Sequence, residues 1–251
     1  MQHGTDIAES LAVVVPVHDE AATIRYVIDE LGRDVVAKHP SAVVIVVDDA
    51  STDATPAILA RRAIADPWLH VERSERNCGH GPTVRRGLDL ADADWIFELD
   101  SDGQFVVSEF WSLWERRNEA DVIIGVRTER NDPLHRQLLS RGVALVTSVL
   151  AVRRLRDPND PFRLLRREVW EDVRPFVPED VGPIHVLFSV GAVKRGWRVA
   201  EVPISHLPRP SGQSSLRALS LARFCARGLW QLLTFRIALS AAESRSGRRT
   251  P

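Results

Sequence analysis

The sequence predicts an α/β fold in which a mostly parallel, Rossmann-like sheet is flanked by helices and followed by an amphipathic helical tail. Three observations carry this reading. Short β-branched runs recur along the first half, each ends in a polar turn, and each turn leads into residues spaced as one face of a helix. The 251 residues suffice for one large domain with its own core and little beyond it. We therefore divide the chain into a catalytic domain over 1–215 and a helical, basic tail over 216–251.

The first run, LAVVVPV (11–17), reads as a buried parallel strand, with Pro16 stiffening the turn that follows. After Asp19, residues Ile24, Val27, Ile28 and Leu31 have helical spacing. The pattern repeats when AVVIVV (42–47) leads through DDASTD into a helix from about Pro56, where Ser51, Thr52 or Asp53 can serve as N-cap. It repeats again when DWIFEL (94–99) leads through DSDGQF into a helix near Val107. A further apolar strand, DVIIGVR (121–127), ends in Arg127, and a less regular helical region runs to about Leu155. From Asp157 the string DPNDPFRLLRREVW carries too much Pro and Asp to open as a helix. It reads as a loop entering one near Leu164.

The tail from Leu216 to about Ala242 is rich in Leu, Phe and Trp with helical spacing. Arg223, Arg227 and Arg236 interrupt it, so it lacks the roughly 18 uncharged apolar residues that a spanning helix needs. Two arrangements suit it: a helix lying in the plane of a membrane surface, or one packed on the domain.

The hydrophobic content of 44% and charged content of 27% are those of an ordinary globular chain and exclude collagen, coiled coil and extensive disorder. A net charge of -1 argues against nucleic-acid binding through the overall field. The sign is uneven, however, with arginines concentrated from Arg127 onward and the end reading SRSGRRTP, a basic stretch suited to phosphates or an anionic lipid surface. The two cysteines, Cys78 and Cys225, have neither disulfide-framework nor zinc spacing, which fits a reducing cytoplasm. The first residues, MQHGTDIAES, do not form a signal peptide, so the domain is expected in the cytoplasm or at the cytoplasmic face of a membrane.

In sheets of this kind ligands bind beyond the carboxyl ends of the strands, and here those ends carry HDE, DDASTD and DSDGQ. Asp100 and Asp102 place two carboxylates two residues apart, where both can hold a hard divalent ion whose other positions take diphosphate oxygens. Gln104 adds a neutral oxygen ligand. Asp49, at the end of the second strand, can accept hydrogen bonds from a ribose or a base, and His18 and Glu20 can face the same nucleoside from the first turn. RNCGHGPTVRRG has glycines that admit close backbone approach, with Pro82 and Arg85 in the helix that follows. It lacks the Lys and Ser/Thr of a Walker loop. Among Arg127, Arg130, Arg136, Arg141 and Arg209, the best placed for a second positive site are Arg127, Arg141 and Arg209.

From about Val13 to Leu216 these strings together resemble the family 2 glycosyltransferases of GT-A fold, and within them the dolichyl-phosphate mannosyltransferase-like enzymes that load a sugar onto a polyprenyl phosphate. VVVPVHDE resembles the family's VVIPVYNE, VVDDASTD its VDDGSTD, and ELDSDGQF its DADGQ, in the same order. GVRTER, LLSRG, DPNDPFRLLRR and GWRVAEVPISHLPRPSGQSS extend the likeness. The resemblance implies an inverting transfer from a nucleoside-diphosphate sugar to a polyprenyl phosphate, with Mg or Mn as cofactor. It implies that Pro16, His18, Glu20, Val47 and Asp49 line the nucleoside pocket, that Asp100, Ser101, Asp102 and Arg141 contact the donor, and that Asp100, Asp102 and Gln104 hold the metal. Asp102, Arg127 and Arg209 are the implied catalytic residues.

Three positions depart from the family pattern: His18 stands for a Tyr, Pro161 for a Gly, and Ser215 for a Lys expected to contact the acceptor phosphate. Arg217 would have to replace that Lys, or the acceptor differs. Two other functions therefore stand beside the first. One is a soluble glycosyltransferase acting on a small-molecule hydroxyl, for which Asp180 is the candidate base; the other is a sugar-nucleotide-binding protein without turnover.

Overall fold

A computed structural model of the chain describes residues 9–128, 142, 145–151, 153–208 and 218–246; side chains are described only to 208 and over 227–242 in the last part. Arg130, Arg136, Arg141, Arg209, Ser215 and Arg217 lie outside the described residues or side chains.

Seven strands form one sheet in the order β3-β2-β1-β4-β6-β5-β7. They are β1 (Leu11–Val17), β2 (Ala42–Asp48), β3 (Leu69–Arg73), β4 (Trp95–Glu98), β5 (Val122–Arg127), β6 (Arg163–Arg166) and β7 (Val199–Ile204). β1, β2, β3 and β4 run parallel, as do β5 and β7, while β6 lies antiparallel between β4 and β5. The helices are α1 (Ile24–Leu31), α2 (Thr55–Ala65), α3 (His80–Leu90), α4 (Phe110–Trp114), a helical segment α5 (145–151), α6 (Arg167–Val173), α7 (Ile184–Lys194) and α8 (Ala218–Ser246).

Period-two alternation splits the core between the two faces of the sheet. Leu11, Val13, Val15 and Val17 pack with Ile24, Val27, Ile28 and Leu31 of α1, while Ala12 and Val14 pack with Val84 and Leu88 of α3. Three details differ from the sequence reading. β1 spans the run 11–17 as read, but Pro16 acts inside that strand, in register with Val47, and does not stiffen the turn after it. Even-numbered residues of β1 face β4, and that pairing stops at Val14, so the missing N–H of Pro16 falls where no strand needs it. The segment read as a loop running into a helix near Leu164 is strand β6, and the helix starts only at Arg167. Finally, Ala54 is the N-cap of α2 and makes no side-chain cap bond; of the three candidates Asp53 serves the helix start, its Oδ1 accepting the N–H of Thr55 at 2.8 Å, while Ser51 and Thr52 are engaged with Asp19.

α8 is docked along part of its length: Leu232, Phe235 and Leu239 are buried in the same core cluster as α7. Gln231 accepts the N–H of Gly182 at 2.8 Å and donates to the carbonyl of Asp180 at 3.1 Å. Leu229, Trp230, Leu233 and Ile237 remain exposed on its outer side. Among the described residues no helix is long and apolar enough to cross a membrane.

Candidate active site

A cavity of about 370 Å³ opens beyond the carboxyl ends of β1, β2 and β4. Pro16, Val17, His18 and Glu20 line it from the first strand end, Asp49 from the second, and Asp100, Ser101 and Asp102 from the fourth. Asn77, Gly79, His80 and Thr83, around the start of α3, complete the wall.

The loops after β1 and β2 are locked to each other. The carboxylate of Asp19 accepts the backbone N–H groups of Thr52 at 2.6 Å and Asp53 at 3.2 Å, while its own N–H donates to Ser51 Oγ at 2.9 Å. The bond from Thr52 contributes most to holding the Asp19 carboxyl below its ordinary pKa. Asp19 and Ala50 both adopt φ of 54°, the left-handed backbone that tight functional turns impose on non-glycine residues. His18 Nδ1 bonds the carbonyl of Asp49 at 2.8 Å, and its Nε2 lies 3.0 Å from Asn77 Nδ2. The imidazole that stands where a Tyr is expected is thus clamped between two loops.

Asp49 is almost wholly buried, and its two carboxylate oxygens accept the N–H groups of Cys78 at 2.7 Å and Gly79 at 2.8 Å. This binds the approach to α3 against the end of β2. Gly79 has φ of 91°, and the next glycine, Gly81, sits so close to Val181 that a Cβ would overlap its carbonyl. The glycines thus serve both the turn and the contact between α3 and the loop before α7.

Asp100 and Asp102 stand together at the cavity edge. Asp102 Oδ1 accepts the N–H of Gln104 at 3.1 Å, which orients that carboxylate. Asp100 Oδ1 is buried and has no hydrogen-bond partner among the described residues. Such an oxygen needs a cation or donor from a ligand, so the pair fits a hard divalent ion. No group of three or more His, Cys, Asp or Glu is placed to hold a metal by itself among the described residues. An ion here would draw its other ligands from a bound phosphate and water, the arrangement typical of Mg with phosphorylated substrates.

Several expected site residues sit elsewhere. Val47 does not line the cavity: it is fully buried on the face of β2 that carries α3, near Gly87, because alternation turns it away from the loop edge. Gln104 is also outside the cavity lining; its side-chain amide donates to the carbonyl of Leu207 at 3.0 Å and ties the metal loop to the segment after β7. Arg127 does not reach the cavity wall. Its guanidinium binds Asp157 in a two-pronged pair at 2.8 and 3.0 Å and lies 3.1 Å from Asp160. Asp180, the candidate base, pairs instead with Arg227 of α8 on the surface.

Behind the cavity lies a buried polar cluster that the motifs did not disclose. Glu98, at the end of β4, bonds His185 of α7 at 2.5 Å, and Arg163 lies 4.0 Å from its other oxygen. Burial pushes Glu98 up to about 7 and draws His185 well below the usual imidazole value, working against the charged form of each. A lone Glu inside the apolar run DWIFEL was the available signal, but its partner is remote in sequence.

Residues 12–174 match the model of the family described as Glycosyl transferase family 2. The chain belongs to glycosyl transferase family 2. Among relatives of this family 2 glycosyltransferase is the polyprenol monophosphomannose synthase of Mycolicibacterium smegmatis, 28% identical over 81% of this chain and 80% of its own length. The undecaprenyl-phosphate mannosyltransferase of Micrococcus luteus is 27% identical over 90% of this chain and 98% of its own. In structure, the glycosyltransferase is similar to glucosyl-3-phosphoglycerate synthase from Mycobacterium tuberculosis, solved with Mn2+, UDP and glucosyl-3-phosphoglycerate. The TM-score is 0.69 at 20% identity, covering 91% of this chain and 80% of the other. The likeness is one of fold, and the fold of the family 2 glycosyltransferase is GT-A.

Proposed function

We propose that the chain transfers a sugar from a nucleoside-diphosphate sugar to a polyprenyl phosphate by a single inverting displacement. The observation that carries this reading is the gathering of Asp49, Asp100 and Asp102 around one cavity, in a chain whose relatives include polyprenyl-phosphate mannosyltransferases. Pro16, His18, Glu20 and Asp49 receive the nucleoside, with Asp49 accepting from ribose or base on the lone pairs that Cys78 and Gly79 leave open. Asp100 and Asp102 hold Mg or Mn, and Ser101 lies between them against the diphosphate. The bound ion supplies charge neutralisation for the departing diphosphate.

A polyprenyl phosphate is already an anion and attacks without a strong base. This suits a site from which Asp180 has been withdrawn. Arg141 and Arg209 are assigned to donor and acceptor phosphates from the sequence. Arg127 supports the site from behind through Asp157 and Asp160, so its contribution is to shape.

The outer side of α8, with Leu229, Trp230, Leu233 and Ile237, is assigned to the membrane that carries the acceptor, on its cytoplasmic face. The arginine-rich end of the chain supports contact with anionic headgroups.

The test is direct. GDP-mannose, UDP-glucose and related donors are incubated with Mn2+ and undecaprenyl phosphate, and sugar is sought in the organic phase. Product in that phase supports the proposal; transfer only to a water-soluble acceptor would replace the lipid with a small-molecule hydroxyl.

A further inference from the structure

The polar cluster behind the cavity forms a continuous row to the carboxylate pair. Glu98 is 1% exposed and meets His185, and Arg163 stands on its other side. The ring of His185, itself buried, packs edge-on against His80 with centroids 5.4 Å apart. His80 opens α3 and lines the cavity, and its Nε2 lies 3.9 Å from Asp100 Oδ1. The row therefore runs from the core, through two imidazoles, to the buried oxygen that has no hydrogen-bond partner among the described residues.

A buried polar row of this kind is not required for stability, since apolar side chains of similar volume in such places are often neutral or stabilising. The outer end is the part that meets the cavity, so whatever the row does is exerted through His80. A half-exposed imidazole by itself samples several rotamers. Here one face is limited by His185, whose own orientation is set by Glu98. His80 also starts a helix whose N-terminus favours anions.

We infer that His80 is a further donor-binding residue, giving its Nε2 hydrogen to the diphosphate of the nucleotide sugar, and that Glu98 and His185 are positioning residues that hold it there. This rests on the proposed use of a nucleoside-diphosphate donor. Neither His80 nor the buried pair belongs to the motifs that mark the family in this sequence.

Binding of UDP and GDP in Mn2+, followed by calorimetry beside uridine and guanosine, tests it. In His80→Ala the affinity for whichever diphosphate the unaltered chain prefers falls about tenfold, the scale of a hydrogen bond to a charged group, while the nucleoside affinity stays within twofold. The apolar double variant Glu98→Leu with His185→Phe shows a similar selective loss, of diphosphate against nucleoside affinity, whatever its melting temperature. Adding His80→Ala to it brings no further loss, as residues acting as one unit require. Glu98→Gln, which keeps the bond to His185, retains diphosphate affinity. Undiminished diphosphate binding by His80→Ala overturns the inference, and so do additive losses in the combined variant. Because His80 lies on the cavity wall, its single variant decides the binding role however the buried pair tolerates substitution. Failure of the unaltered chain to bind any nucleoside diphosphate would overturn the donor reading itself, a result distinct from normal binding that is indifferent to His80.

Discussion

The carboxylate of Asp49 holds the backbone of Gly79, accepting its N–H at 2.8 Å and so fastening the start of α3 to the end of β2. The same carboxylate lines the cavity, which gives it two tasks: shaping the loop and receiving the nucleoside. Asp49→Ala removes both. It leaves the Cys78 and Gly79 donors without their acceptor and is expected to cost about 1–3 kcal/mol in stability. Asp49→Asn keeps one acceptor oxygen and part of the stability. Both variants should raise the donor KM by about tenfold, with Asn closer to the unaltered chain in melting temperature; equal KM values in all three would remove Asp49 from the nucleoside site.

Arg127 is held between Asp157 and Asp160, and both acids are buried. Burial pushes Asp160 up to about 8 even with that guanidinium beside it. Arg127→Met would leave two buried carboxyls short of a positive partner and should lower stability by about 3–5 kcal/mol. Adding Asp157→Asn and Asp160→Asn should recover much of the loss. A direct role at the diphosphate would instead give a stable Arg127→Met variant with a large kcat deficit, and urea denaturation beside kinetics separates the two.

Gly81 faces the carbonyl of Val181 with no room for a Cβ. Gly81→Ala must displace either α3 or the loop before α7, and a cost of about 1–3 kcal/mol is expected. Since α3 brings His80 and Thr83 to the cavity, donor affinity should fall together with melting temperature. Gly142→Ala, where a Cβ meets nothing within 4 Å among the described residues, serves as the matched control.

The pH dependence of stability should carry a contribution from Asp121. Arg198 binds its carboxylate through both Nη2 at 2.7 Å and Nε at 3.0 Å, and this holds its pKa below the ordinary carboxylate value. A carboxyl depressed in the fold stabilises it above the unfolded-state pKa, near 3.8, and loses that contribution as pH falls through the lower folded value. Asp121→Asn should therefore lower the melting temperature at pH 7 and narrow its gap to the unaltered chain below pH 4. A gap that widened on acidification would contradict the assignment.

Much of the scaffold is legible in the sequence because each strand is a local apolar run and each acidic turn follows one directly. Ile24, Val27, Ile28 and Leu31 form the buried side of α1 as their spacing requires, and Asp49, Asp100 and Asp102 meet at one edge because β2, β1 and β4 are parallel neighbours. What escapes sequence reading is contact across long separations. Glu98 finds His185, 87 positions away, through the packing of α7 on the sheet, and no local pattern encodes that. Arg127 ends a strand as expected, yet the acids that neutralise it sit about thirty positions on, in DPNDPF. That string is itself misread: its Pro and Asp obscure β6, which becomes a strand by filling the space between β4 and β5.

The central claim is that the Asp100–Asp102 pair serves metal-dependent turnover of a nucleotide sugar. Release of nucleoside diphosphate from a panel of GDP, UDP and dTDP sugars, measured with Mn2+ and with chelator in the unaltered chain and in Asp102→Ala, tests it most directly. At least one donor should be turned over only with Mn2+, and Asp102→Ala should reduce that rate by about a hundredfold or more. Turnover that persists in chelator, or that is equal in Asp102→Ala, would contradict the account, as would a panel in which no donor is consumed.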